Sequence, residues 1–275
     1  MSRPCQQGCQ GCPSAKKEKP ELLKERFAVK LTSPEQIVVA LAGNPNVGKS
    51  TVFNSLTGLN QHTGNWPGKT VTNAQGVTKY QDREFMLVDL PGTYSLLANS
   101  ADEEVARDFL CFGNPQATIV VVDATCLERN LNLVFQVLEI TPKVVVCVNL
   151  LDEAKRKGLN VNIETLSKEL GVPVVATVAR DGKGLKELMD AVYNVALGIT
   201  QTNPQPMVYD HDIEEAIQNI EPKLSHLLQG MLNSRWVALR LLDGDQTILQ
   251  SICEYLQEDL KQVPGLERRV AYCHD

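Results

Sequence analysis

No uninterrupted apolar run in this chain approaches the ~18 residues that a helix needs to cross a bilayer. Residues 1–19 lack the apolar stretch of a secretory signal. Positive charge is not in excess either. The chain has 27 Lys and Arg against 33 Asp and Glu, a formal net charge of −6, which weighs against nucleic acid as the main partner because that partner needs a basic face. Aromatics make up only 5% of the chain, with two tryptophans, so the core has to be mainly aliphatic. Of the 275 residues, 43% are hydrophobic, sufficient for one α/β domain and a smaller appendage. These features together describe a soluble, cytosolic-type protein.

The eight cysteines fall into two groups. Cys111, Cys126, Cys147 and Cys253 sit in apolar or helical patterns and read as buried small hydrophobes. Cys5, Cys9 and Cys12 crowd a glycine-containing leader, and Cys273 lies beside His274. In a reducing compartment the leader's C-x3-C-x2-C spacing points to metal or redox chemistry rather than disulfides. Iron, zinc or an iron–sulfur cluster would accept such thiols, with a fourth ligand from Cys273, His274 or outside. An unstructured tail with incidental thiols fits as well. Radical SAM enzymes share the spacing, but the (β/α) barrel they require is not written here.

Five continuous apolar runs read as buried strands: 37–42 (IVVALA), 85–89, 118–123, 143–149 and 172–177. Helical patterns at 50–57, 102–112, 131–139, 163–170 and 185–196 lie between and after them. The alternation implies a parallel sheet covered on both faces. A short strand at 77–80 is expected antiparallel to 85–89, and a short helix within 21–31. A polar, proline-containing stretch at 200–206 reads as a linker. Beyond it, Ile213, Ile217, Ile220, Leu224, Leu227, Leu228 and Met231 keep helical spacing, and Ile248, Ile252, Tyr255, Leu256 and Leu260 repeat it with Asp245 as N-cap. The expected domains are a flexible cysteine-containing leader over 1–34, an α/β domain over 35–200 and an all-helical domain over 201–275.

Gly43-Asn44-Pro45-Asn46-Val47-Gly48-Lys49-Ser50 matches G-x-x-x-x-G-K-[ST] between a strand and a helix that Thr51 continues. Its backbone N–H groups and helix N-terminus suit phosphate. Lys49 would bridge the β- and γ-phosphates, and the Ser50 hydroxyl would ligate Mg²⁺. Asp89-Leu90-Pro91-Gly92 ends the next long strand as D-x-x-G, with Asp89 for Mg²⁺ through water and the Gly92 N–H for the γ-phosphate. Asn149-Leu150-Leu151-Asp152 is N-x-x-D. The Asp152 carboxylate can accept from guanine N1–H and the 2-amino group, which adenine cannot supply. Leu150 stands where Lys is usual, and Thr177-Val178-Ala179 stands where Ser-Ala usually contacts the base. Val178 leaves only backbone contact there, so modest affinity and fast release are expected. Thr70, preceded by Trp66, Gly68 and Lys69 in one loop, is the candidate switch threonine for Mg²⁺ and the γ-phosphate. Trp66 could instead be a packing anchor. Glu103 and Glu104 read chiefly as dipole complements at a helix start.

The stretches GNPNVGKST, GNWPGKTV, DLPGTYSLLANSADEEVARDFL, DATCLERNLNLVFQVLE and NLLDEAKRKG resemble the cytoplasmic part of the bacterial ferrous-iron transporter family FeoB, over residues 37 to about 242. The resemblance implies a Ras-like P-loop GTPase domain followed by a small helical domain, on the cytoplasmic face of the bacterial inner membrane. GTP or GDP, Mg²⁺ and K⁺ would be its cofactors. A multi-span permease part of the same protein would be its main partner, with room for small cytosolic accessory proteins and a homo-oligomer. Asn46 resembles the asparagine that binds K⁺ in potassium-activated GTPases, with carbonyls near Gly64 and Trp66 completing the shell. Thr93 stands where small GTPases carry a water-orienting glutamine, so intrinsic turnover is expected to be slow. Two other readings remain: a ribosome-assembly or tRNA-modification GTPase, and a nucleotide-dependent binding switch with negligible catalysis.

Overall fold

A computed structural model describes residues 19–58, 61–97 and 100–256. Its centre is a seven-stranded sheet in the order β2-β3-β4-β1-β5-β6-β7. The strands are β1 (Ile37–Gly43), β2 (Gln61–Asn65), β3 (Thr72–Tyr80), β4 (Arg83–Asp89), β5 (Ala117–Asp123), β6 (Val144–Asn149) and β7 (Val174–Ala176). From β4 across to β7 every pairing is parallel, and β2–β3 and β3–β4 are antiparallel. The apolar runs are continuous because both faces are covered. Val38, Ala40 and Ala42 of β1 belong to one core layer, and Ile37, Val39 and Leu41 to the other.

The helices preceding the linker are α1 (Lys19–Phe27), α2 (Lys49–Thr57), α3 (Ala101–Phe112), α4 (Leu127–Ile140), α5 (Leu151–Arg156), α6 (Ile163–Leu170) and α7 (Leu185–Ala196). Residues of α2 and α7 fill one layer, and residues of α3 and α4 fill the other. After the linker come α8 (His211–Leu228), α9 (Ser234–Asp243) and α10 (Gln246–Leu256). Their buried residues, among them Ile217, Leu224, Trp236 and Ile248, join the α3/α4 layer in one continuous core. The helical part is therefore packed on the G-type domain and not strung from it. Asp245 caps α10 as expected, with Oδ1 accepting from Thr247 N–H (3.1 Å) and Ile248 N–H (3.3 Å).

Several expectations need correction. The 1–34 leader is not flexible in its second half, since Leu23, Phe27 and Val29 are buried in the core. Strand β3 starts at Thr72 and not at 77, and β2 was not anticipated. The polar start of β3 conceals a strand because its side chains serve α1. Asn73 Nδ2 donates to the Phe27 carbonyl (3.2 Å), and Gln75 Nε2 donates to that of Ala28 (2.9 Å). Helix α8 ends at Leu228, where Gln229 takes φ 48°, so Met231 falls outside it. Helix α9 escaped the periodicity reading because Trp236, Val237, Ala238, Leu239 and Leu241 are all buried, which blurs the polar face. Cys126 is exposed and Cys253 half-buried, while Cys111 and Cys147 are buried. Cys5, Cys9, Cys12, Cys273, His274 and Leu260 lie outside the described residues. Among the described residues no helix is long and apolar enough to cross a membrane.

Candidate nucleotide site

Parallel strands put their carboxyl ends on one edge, and the motifs sit there. Leu41 pairs with Asp89, Gly43 with Val121, Asp123 with Asn149, and Val148 with Ala176. Gly43, Asp89 and Asn149 end their strands, and Thr177 follows the last.

Beyond Gly43 the chain turns through Asn46 at φ 68° and Gly48 at φ 83° before entering α2. Gly48 is needed twice over: its φ is left-handed, and a Cβ would lie 2.4 Å from Asn149 Nδ2. No side chain caps α2, so its first N–H groups face the loop as an anion cradle. Asn44 is 2% exposed, and both polar atoms of its amide are buried without a partner. Asn46, by contrast, is exposed.

Lys49 Nζ lies 2.5 Å from Asp89 Oδ1. Burial pushes the Asp89 carboxyl up, and the Lys49 ammonium pulls it back down. A cation thus already sits against the carboxylate expected to face Mg²⁺. The arm after Asp89 lies along the P-loop. Leu90 N–H donates to the Leu41 carbonyl (2.9 Å) and Thr93 N–H to that of Gly43 (3.3 Å). Gly92 lies beside Pro45, where a Cβ would be in van der Waals contact at 3.4 Å from Pro45 Cα. Thr93 is buried at 5% exposure.

The base end is organised by one side chain. Asn149, 1% exposed, donates from Nδ2 to the Val47 carbonyl (3.1 Å) and accepts at Oδ1 from Thr177 Oγ1 (3.1 Å) and Ala179 N–H (3.0 Å). It joins the phosphate loop to the Thr177-Val178-Ala179 segment. Val178 makes a two-way backbone bridge with Lys183. Leu150 takes φ 62° and opens α5, in whose first turn Asp152 sits. Asp152 pairs with Arg180 (3.2 Å) and, less closely, with Arg156 (3.7 Å). Sequence reasoning missed Arg180, a partner brought in by tertiary packing.

The switch-type loop is a hairpin. Asn65 pairs with Thr72, Trp66 N–H donates to the Val71 carbonyl (2.9 Å), and Lys69 N–H donates to that of Trp66 (3.0 Å). Pro67, Gly68, Lys69 and Thr70 form its tip, with Thr70 exposed. The register places Thr72 two residues past the Ala74–Asp89 pair, so the tip overhangs the same edge of the sheet as Asp89. Gly64 pairs within the hairpin and the Trp66 carbonyl is taken by Lys69. Trp66 is a packing anchor, 3% exposed, with its indole N–H on the Thr72 carbonyl (3.1 Å). Glu104 pairs with Lys69 at 2.9 Å and so does more than complement the α3 dipole.

Known proteins match this arrangement. The family profile described as ferrous iron transport protein B matches residues 37–192, and the FeoB cytosolic helical domain matches 209–271. The Fe(2+) transporter FeoB of Escherichia coli K12 is 37% identical over 218 residues, covering 77% of this chain and 27% of that one. The chain thus spans 26–27% of the length of the curated relatives it matches. Among solved structures, a GDP-bound mutant of S. thermophilus NFeoB superposes with a TM-score of 0.73 at 34% identity, covering 86% of this chain and 89% of that one. The cytosolic domain of the T. maritima FeoB iron transporter in its GMPPNP form gives 0.68 at 35%, covering 86% and 93%.

Proposed function

Because the chain belongs to the FeoB family of ferrous iron transport proteins, we propose that it is a guanine-nucleotide-binding, GTP-hydrolysing part that regulates Fe²⁺ passage. The observation that carries this reading is the Asn149 bridge between the Val47 carbonyl and the 177–179 segment, which sets phosphate and base ends at a fixed separation. The relatives solved with GDP and GMPPNP agree with it.

The residues divide the work by chemistry. Backbone N–H groups from Gly43 to Ser50 and Thr51, at the uncapped start of α2, hold phosphate oxygens. Lys49 exchanges its Asp89 partner for the β- and γ-phosphates. Asp152 exchanges Arg180 for the guanine N1–H and 2-amino group, which excludes adenine. Ser50, Asp89 and Thr70 would hold Mg²⁺, whose contribution is to neutralise charge between the β- and γ-oxygens. The buried Asp89 carboxylate and its Lys49 stand-in fit such a cation. Gly92, already against Pro45, offers its N–H to the γ-phosphate. Asn46 would hold K⁺, which supplies positive charge where an arginine finger otherwise acts. Backbone carbonyls from Gly64 and Trp66 would complete that shell once the hairpin tip is drawn inward. Thr93 cannot orient water as glutamine does, so turnover is slow.

The permease part of the same protein, on the bacterial inner membrane, is the proposed recipient of the nucleotide signal. Small cytosolic accessory proteins and self-association are further partners. The buried Thr93 side chain favours one second reading, a binding switch with negligible catalysis.

Phosphate release from GTP with Mg²⁺, in K⁺ and then in Na⁺, tests the proposal, with Asn46→Ala beside it. Turnover that needs K⁺ and collapses in the variant is expected. Equal rates in both salts would remove the cation mechanism, and no turnover in either would leave the binding switch.

A further inference from the structure

Helix α1 lies outside both stretches that match the family, 37–192 and 209–271, yet it is built into the core beside the loops expected to respond to nucleotide. Phe27 packs edge-on against Trp66 (centroids 6.2 Å apart) and Phe109 (5.2 Å), and Trp66 meets Phe109 at 5.6 Å. These three rings come from three separate elements: α1, the tip of the β2–β3 hairpin and α3. Arg26 reaches Asp108 of α3 at 3.8 Å, and its guanidinium lies 4.5 Å over the Phe112 ring. The buried amides of Asn73 and Gln75 are spent on the carbonyls that end α1. A second fastener, Lys69 to Glu104, ties the hairpin tip to α3. Thr70 follows directly on the fastened Lys69, four residues past the fastened Trp66, and is exposed.

From this geometry we propose that α1 is a regulatory clamp, holding the hairpin tip against α3 so that Thr70 stays off the metal until a γ-phosphate draws the tip inward. Phe27 and Arg26 are then positioning residues that act through Trp66 and α3. The inference rests on the nucleotide reading of the site. It adds an input of its own: residues N-terminal to Lys19 lead directly into the helix that sets the resting state of the loop. A clamp that favours the outward tip opposes the triphosphate form and leaves the diphosphate form untouched. Weakening it raises affinity for a GTP analogue relative to GDP. Two lost ring contacts of ordinary strength correspond to a shift of about fivefold in that ratio at the weak end of their range and at most about 150-fold at the strong end.

The test uses the full chain with Trp236→Phe, so that Trp66 alone reports, and adds Phe27→Ala, Phe27→Leu or Arg26→Gln. GDP and GMPPNP are titrated with Mg²⁺, tryptophan emission is recorded, and thermal unfolding without nucleotide monitors the fold. In the Trp236→Phe background, GMPPNP but not GDP should red-shift Trp66 emission as the ring leaves its site. Phe27→Ala should show part of that shift without nucleotide and a raised GMPPNP:GDP affinity ratio. Arg26→Gln, on a half-exposed side chain, should move the ratio in the same direction with an unchanged melting temperature. A ratio unchanged in both Phe27→Leu and Arg26→Gln, or a Trp66 emission indifferent to GMPPNP while GMPPNP binds, overturns the clamp and leaves the nucleotide site intact. Failure of the parent to bind either nucleotide overturns both.

Discussion

Truncating Asn149 to alanine should cost more than its size suggests, because its amide serves three groups that water cannot reach. The Val47 carbonyl and the Ala179 N–H each lose their side-chain partner. The Thr177 hydroxyl loses one too, but it can turn to Cys147 Sγ at 3.2 Å or toward the Val148 carbonyl at 3.5 Å. Two buried groups are left orphaned at about 1–3 kcal/mol each, so the expected loss is about 2–6 kcal/mol. In a domain of this size that corresponds to a fall of roughly 6–12 °C in Tm for a value of ~3 kcal/mol within that range. Thermal unfolding of the nucleotide-free protein measures it. Asn149→Asp discriminates further: it keeps the acceptor for Ala179 but sets a carboxylate oxygen against the Val47 carbonyl, so it too should be destabilised. A Tm for Asn149→Ala within ~2 °C of the parent, no more than the smallest penalty for a single orphaned group, would show that the bridge is incidental.

Three further outcomes follow from other contacts. Arg180→Ala should tighten GDP binding, by no more than about fivefold for an ion pair this exposed, because guanine no longer competes for Asp152. A titration showing weaker binding would mean that Arg180 acts on the nucleotide itself. Arg107, 1% exposed on α3, bonds Asp108 (2.9 Å) and Thr247 at the start of α10 (3.2 Å), and lies 3.7 Å from Asp245. Arg107→Ala leaves Asp108, 16% exposed and already pushed up by desolvation, with only the more distant Arg26 at 3.8 Å. It should cost about 3–5 kcal/mol, read by denaturant unfolding, and a loss under 1 kcal/mol would refute the buried-charge argument. Glu214 is held down to about 2, chiefly by its hydrogen bond to Arg235. The fold therefore favours the ionised form. The contribution is complete above the ordinary carboxylate range and fades as pH falls through about 2. Relative to Glu214→Gln, the parent should lose stability between about pH 4.5 and 2, and parallel unfolding curves across that range would contradict this.

The strands in the parallel part of the sheet were legible because burial on both faces leaves an unbroken aliphatic run, as in Ile37–Gly43. The position of each motif after an apolar run was enough to anticipate that it would close a strand. Reading the sequence failed where a polar side chain has a remote partner. Asn73 and Gln75 made the start of β3 look like a loop, because their reason for being there is a helix some forty-five residues earlier. Arg180 belongs to no motif in the sequence, and only the fold brings it to Asp152. Helix α9 fails the amphipathic pattern for the opposite reason, since both of its sides are covered. The Trp66 ring is a packing anchor through its contacts with Phe27 and Phe109, partners that no local sequence pattern announces.

The arm that follows Asp89 has a fulcrum. Leu90 is sealed in the core at 1% exposure and tied to β1 at 2.9 Å, whereas the bond from Thr93 to Gly43 is longer, at 3.3 Å. Between the two lie only Pro91, with its fixed φ, and Gly92. The arm is therefore a lever whose pivot cannot travel. It is caught again at Leu96, 6% exposed, whose N–H donates to Gln136 Oε1 of α4 at 2.7 Å. Movement of Gly92 beside the P-loop is thus confined between two buried leucines, and the far anchor hands it to α4, with the sheet left where it was.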